Sequence, residues 1–238
     1  MTNTLAQRMR EYEDVFRYKL PRRLPLLIKL DGKAFHTLTR NYEKPWDTDF
    51  MSFMDSVALF LCKKVQTVQL AYLQSDELTL LLHNYKKLNS EPWFDNTLQK
   101  IVSISAGYAS AYFSVRNYQK NPLLDIEEVI EIFDSRAWVL PESEVNNTLL
   151  SRQQDATRNA IQMLGQSKFS HQQLQNKSCA QIQELLWQEH KINFKDLEPY
   201  YKRGRCVIKG ENAWFVDRNI PIFSQDTNYI EQWLVTNE

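Results

Sequence analysis

Two apolar, alternating segments held apart by a very short polar link constrain this chain more than any other stretch. Val68-Gln69-Leu70-Ala71-Tyr72 and Leu78-Thr79-Leu80-Leu81-Leu82 flank Gln74-Ser75-Asp76-Glu77. Period-two alternation on both sides of so few residues reads as two strands joined by a tight turn. The turn carries adjacent acids. Like charges raise each other's carboxyl pKa, and a bound cation reverses that logic. In a chain with 29 Asp and Glu, one such dipeptide is also an ordinary solvated turn. The two readings differ by whether a partner carboxylate exists elsewhere.

A partner candidate lies upstream. Pro25-Leu26-Leu27-Ile28-Lys29-Leu30 reads as a buried strand ended by Asp31-Gly32, where glycine lets the backbone approach a ligand closely. Asp-Gly is also a common turn dipeptide. Alternation puts Leu27, Lys29 and Asp31 on one strand face, and Leu70, Tyr72, Gln74 and Asp76 on one face of the other. If these strands are neighbours, Asp31 and Asp76 project side by side. They would then bind hard divalent ions such as Mg2+ through oxygen, with the Gly32 carbonyl as a further ligand. Two Mg2+ ions between aspartates suit phosphoryl or nucleotidyl transfer. Lys33, Lys44 and Arg136 are candidate cations for a triphosphate.

The remaining pattern predicts helices packed on an antiparallel sheet, an α+β fold. Residues 4 to 19 read as an amphipathic helix with Leu5, Met9, Tyr12 and Phe16 in its stripe, ended by Leu20-Pro21. Met51 to Lys64 and Thr97 to Tyr118 read as helices; Ser105, Ala106, Gly107, Ala109 and Ser110 would let the second lie close to a sheet. Phe133 to Pro141 reads as a strand. Residues 143 to 190 are helical and Gln-rich, and Lys191 to Tyr201 reads as a loop. Tyr200-Tyr201-Lys202-Arg203-Gly204-Arg205 mixes aromatic and cationic residues ahead of two short strands, Cys206 to Lys209 and Ala213 to Val216. The expected division is a catalytic domain over 1–141 and a helical lobe with a small β-hairpin over 142–238, packed as one unit.

Composition narrows the setting. A chain of 238 residues can bury a real core. Formal net charge is zero, which weighs against broad attraction to nucleic acid or anionic membrane while allowing a local basic patch. Cys62, Cys179 and Cys206 are too few and too scattered for a disulfide framework or zinc site, so a reducing cytoplasm is expected. Neither a signal peptide nor an apolar run near the ~20 residues of a membrane span is expected.

Five stretches occur together in order: Asp31-Gly32-Lys33-Ala34-Phe35-His36, Lys44-Pro45, Gln74-Ser75-Asp76-Glu77, Phe133-Asp134-Ser135-Arg136 and Arg152-Gln153-Gln154-Asp155. As an ordered set over about residues 5 to 210 they resemble the tRNA-histidine guanylyltransferase family, most closely its bacterial guanylyltransferase-like branch. The resemblance implies a polymerase-palm-like (ferredoxin-like) domain that adds nucleotides in the 3′-to-5′ direction to the 5′ end of tRNA. It implies that Asp31 and Asp76 bind two Mg2+ ions with the Gly32 backbone assisting, and that Glu77 is needed beside them. Asp31, Gly32, Lys33, Ala34, Phe35, His36, Ser75 and Asp76 would line the nucleotide site, with Lys44 and Arg136 as phosphate or substrate contacts. GTP and other nucleoside triphosphates would be substrates, ATP would serve 5′ activation, and the assembly would be a homotetramer. Arg152, Lys202, Arg203 and Arg205 are candidate RNA contacts.

The chain departs from the family pattern in places. Lys33 stands where Arg is frequent, keeping the charge but losing the bidentate fork. Trp46 replaces the usual Asn after Lys-Pro. Thr157 stands where the eukaryotic members have His, within a run that lacks their His-x-Asn-Asn. Those features are associated with 5′ activation and tRNA-histidine handling, so template-dependent repair of 5′-truncated tRNA fits better than strict tRNA-histidine specificity. Another palm-type nucleotidyltransferase or cyclase, or a non-catalytic tRNA-binding relative, are the competing classes. A cyclase or forward polymerase has no reason to carry the Gln74-Ser75 and Arg152 contexts. A non-catalytic relative would be expected to have lost one of the three acids.

Overall fold

A computed structural model describes residues 4–85, 87 and 89–234; Met1 to Asn3, part of the stretch in which no signal peptide is expected, lie outside them. Its frame is a six-stranded sheet in the order β4-β1-β3-β2-β5-β6. The strands are β1 (Leu26–Gly32), β2 (Val68–Gln74), β3 (Glu77–Leu82), β4 (Phe133–Val139), β5 (Arg205–Lys209) and β6 (Trp214–Asp217). Every neighbouring pair is antiparallel. The β2–β3 hairpin lies at the middle, and both of its strands are buried throughout. That explains why Leu80-Leu81-Leu82 is a run rather than an alternation: both faces are covered.

The helices are α1 (Leu5–Asp14), α2 (Phe35–Leu38), α3 (Thr48–Lys64), α4 (Leu98–Lys120), α5 (Ile126–Val129), α6 (Val145–Gln166), α7 (His171–Leu174), α8 (Cys179–His190), α9 (Pro199–Arg203) and α10 (Asn228–Glu231). One sheet face, through Ile28, Leu30, Leu73, Leu78 and Leu80, packs on Met54, Val57 and Leu61 of α3 and Ile101, Ala109 and Phe113 of α4. The predicted small residues of α4 divide. Ser105 is buried with its Oγ 2.8 Å from Ser135 Oγ, whereas Gly107 has open space where a side chain would stand. The opposite face, through Leu27, Leu70, Tyr72, Leu81 and Cys206, packs on Val145 and Leu149 of α6 and on Ile220, Phe223 and Ile230. A third apolar cluster joins α6 to α8 through Ile161, Leu164, Ile182 and Leu186. The C-terminal hairpin β5–β6 therefore continues the main sheet through β2–β5 pairing.

Three expectations need correction. The first helix ends at Asp14 rather than near residue 19, because Tyr18 to Leu20 are drawn into pairing with Asn96 to Leu98. None of its residues is buried. Residues 199–203 form a short helix where a loop extending to Tyr201 is expected, with Pro199 at its first turn, where proline is tolerated. Finally, β1 and β2 are not neighbours; β3 lies between them.

Candidate active site

The strand order brings the acids together by a route different from the expected one. Register aligns Asp134, Asp31, Glu77 and Gln74 in one row across β4, β1, β3 and β2. The row ends the sheet on the face covered by α6. Asp76 joins it from the two-residue turn beyond, where Ser75 sits at φ 47°. Burial raises the carboxyl pKa of Asp31, with Lys29 opposing and Glu77 and Asp134 adding to the rise. Burial likewise raises that of Asp76, and the nearby Asp31 adds to it. Each is easier to leave protonated than a free carboxyl, chiefly because burial strips water from the charged form and secondarily because the acids lie near one another.

Glu77 has other work. Its Oε2 pairs with Lys29 Nζ and lies 3.6 Å from Arg152 Nη1. Its Oε1 is buried with no hydrogen-bond partner among the described residues. Arg152 also pairs with Asp155 at 2.9 Å. One row deeper, register places Arg136, Lys29, Thr79 and Tyr72 side by side. A cleft of about 460 Å³ opens there between the sheet and α6, with Lys29, Arg136 and Arg152 as its cations. Acids at the edge of the sheet thus adjoin a basic cleft. Neither Lys29 nor this role of Arg152 was singled out in the sequence, because pairing between β1 and β3, and the docking of α6, are long-range facts.

The loop after β1 supplies the other expected residues. Lys33 and His36 are exposed, and Ala34 takes the left-handed conformation at φ 59°. Phe35 instead is buried, its ring packed against Phe113 and Phe133 at 5.2 and 5.0 Å. A Cβ on Gly32 would lie 2.4 Å from that ring. Glycine is therefore required here by the packing of Phe35, in addition to any ligand, and Phe35 shapes the loop rather than presenting a face to a nucleotide. Lys44 donates to Thr39 O at 2.9 Å and lines, with Ser75, Tyr42 and Tyr201, a pocket of about 100 Å³. Trp46, another wall, stacks on Tyr201 at 4.5 Å.

Arg205 does not serve RNA. It is 2% exposed, paired with Asp55 of α3, and donates to Met51 O at 3.0 Å. Arg218 closes on the same carboxylate at 2.8 Å. Lys202 and Arg203 are partly exposed on α9. Thr157 lies on α6 with its hydroxyl on Gln153 O at 3.0 Å.

Among the described residues no group of three or more His, Cys, Asp or Glu side chains is disposed to hold a metal. Asp31 and Asp76 with a backbone oxygen nevertheless fit Mg2+, which keeps several waters and takes one or two carboxylates plus substrate phosphates. Their raised pKa values are what a cation would relieve.

Comparison with known proteins gives the family. The family model for tRNAHis guanylyltransferase matches residues 6–141. A solved bacterial tRNA(His) guanylyltransferase-like protein in complex with ATP is 41% identical, with a TM-score of 0.92 over 97% of this chain and 99% of its own. A second such protein, in complex with GTP, is 36% identical, with a TM-score of 0.82 and coverage of 97% and 99%. The probable tRNA(His) guanylyltransferase of Homo sapiens is 29% identical over 77% of this chain, which spans 64% of that relative's length.

Proposed function

This chain belongs to the tRNAHis guanylyltransferase family, beside its bacterial guanylyltransferase-like members, and on that premise we propose that it is a nucleotidyltransferase that lengthens the 5′ end of tRNA in the 3′-to-5′ direction. The observation that carries the reading is the row of Asp31, Glu77 and Asp76 beside a cleft whose cations are Lys29, Arg136 and Arg152. In the proposed step the 3′-hydroxyl of the incoming nucleotide attacks the activated 5′ phosphorus of the RNA. A new phosphodiester forms as the bond to the leaving group breaks, pyrophosphate from a 5′-triphosphate or AMP from an ATP-activated end, and the hydroxyl proton passes to solvent.

Asp31, Asp76 and the Gly32 carbonyl would hold Mg2+. When bound, it lowers the pKa of the attacking hydroxyl and offsets charge on the leaving group. Lys29, Arg136 and Arg152 face the phosphates, and Glu77 holds Lys29 and Arg152 at their stations through its ion pairs. Lys33 and His36, exposed beside the row, remain candidate nucleotide contacts, as do Ser75 and Lys44 at their pocket. ATP or GTP would be the incoming or activating nucleotide. Repair of 5′-truncated tRNA is the favoured activity, because no histidine takes part in the acid row and Thr157 is turned to its own helix.

The proposed assembly is a homotetramer in the cytoplasm. Buried free thiols at Cys62 and Cys206 support a reducing compartment. Among the described residues no helix is long and apolar enough to cross a membrane.

Incubation with Mg2+, nucleoside triphosphates and a 5′-truncated, 5′-triphosphorylated tRNA tests the proposal. Growth at the 5′ end, abolished in Asp76→Ala, is expected. Growth at the 3′ end, or none, overturns it. A 5′-monophosphorylated substrate, with and without ATP, tests whether this protein activates its own end.

A further inference from the structure

A second groove, of about 680 Å³, runs along the side of α6 away from the acid row, between that helix, α9 and the segment around Ile222. Leu150, Gln154, Thr157 and Ile161 form its floor and recur at helical spacing on one stripe of α6. Its cations come from three separate segments: Arg158 of α6, Lys195 of the turn at Phe194–Asp196, and Lys202 and Arg203 of α9. Among the described residues no Asp or Glu lines it. Asp155 pairs with Arg158 at 2.8 Å, and Lys202 donates to Lys195 O at 2.6 Å. Arg203 Nε is buried with no hydrogen-bond partner among the described residues. Burial lowers the pKa of Arg203 and of Lys202, while Asp196 and Glu198 draw Lys202 partly back. In a chain of zero formal charge, this is a local concentration of positive groups around a floor of mixed apolar and polar side chains.

We infer that this groove binds the RNA substrate, its cations gripping backbone phosphates a few nucleotides from the reacting 5′ end. The inference rests on the proposed function, and it identifies a contact surface which that proposal leaves open. A polyanion fits better than one free anion because the cations are spread along the walls rather than converging on a point. Between them, a floor that mixes Leu150 and Ile161 with the hydrogen-bonding Gln154 and Thr157 suits ribose and base faces. The proposed nucleotide contacts Lys44 and Ser75 line a different pocket. The groove is also close enough. Arg152 faces the acid row from the opposite side of α6, and Arg158, about 120° round the helix from it, lies about 9 Å further along the axis at 1.5 Å per residue.

The test compares the wild-type chain with a Lys202→Ala, Arg203→Ala double variant for retention of a 5′-truncated tRNA transcript over a range of salt concentrations. ATP binding without RNA is measured in parallel. Loss of two phosphate contacts predicts at least tenfold weaker RNA binding and a salt slope shallower by about 2. ATP affinity should be unchanged. A Lys202→Arg, Arg203→Lys variant should restore most of the RNA affinity, which a mere folding defect in the alanine variant would not explain. RNA affinity equal to wild type overturns the groove, as does a parallel fall in ATP affinity, which would mark a free-nucleotide site. If wild type retains no RNA at any salt, the proposed function falls with it; retention by both proteins overturns the groove alone.

Discussion

Gly32 is held by packing at the position where the proposed metal site would need it. Its hydrogen occupies the space beside the Phe35 ring, which is itself wedged among Phe50, Phe113 and Phe133. Gly32→Ala forces a methyl group into an aromatic cluster with no room to retreat. Overpacking of this kind costs about 1–3 kcal/mol, so the urea midpoint should fall measurably; an unchanged midpoint would mean that the ring moves aside freely. Asp31 and Asp76 were both legible in the sequence, because each ends an alternating segment. The ion pairs of Glu77 were not. Nothing in Lys29 or Arg152 announces a partner that only strand pairing and helix docking supply. Arg205 misled for the converse reason: its neighbours Lys202 and Arg203 are cationic and partly exposed, and burial of an arginine depends on an aspartate 150 positions away.

At the scale of elements, Asp55 ties α3 to the two C-terminal strands. It accepts from Arg205 at the start of β5 and from Arg218 just after β6. Removing one partner of a buried pair leaves the other charge uncompensated and costs about 3–5 kcal/mol. Asp55→Ala should therefore lower the thermal midpoint sharply, and far more than Arg218→Ala, whose side chain is half exposed. Equal effects would show that Arg205 finds another partner. Most elements could be read locally: α3, α4 and β4 follow periodicity closely, and the β2–β3 hairpin follows from its link. The end of α1 could not, because it is set by contacts between residues near 19 and residues near 97.

At the scale of the molecule, the fold class was legible and the strand order was not. Alternation fixes which residues share a face, but which strand of the hairpin pairs with β1 is a long-range choice that local pattern does not carry. That insertion makes Glu77, not Asp76, the direct strand neighbour of Asp31. The surface carries apolar residues at unusual exposure: Leu5 at 67%, Phe16 at 60%, Leu123 at 99% and Ile126 at 71%. The proposed assembly would bury such residues against other chains. Sedimentation velocity should give a tetramer for the wild-type chain and smaller species for a Tyr12→Asp, Phe16→Asp variant; a monomeric wild type would contradict the proposed assembly.

We propose that the end of this sheet is a metal-nucleotide site. Mn2+, which replaces Mg2+ and reports its binding by electron paramagnetic resonance, tests it most directly. With a nonhydrolysable nucleoside triphosphate, the wild-type chain should take up Mn2+ to a stoichiometry of two per chain. Asp31→Asn and Asp76→Asn should each lose at least one of these ions while keeping the fold. Uptake that is the same in all three proteins would contradict the account.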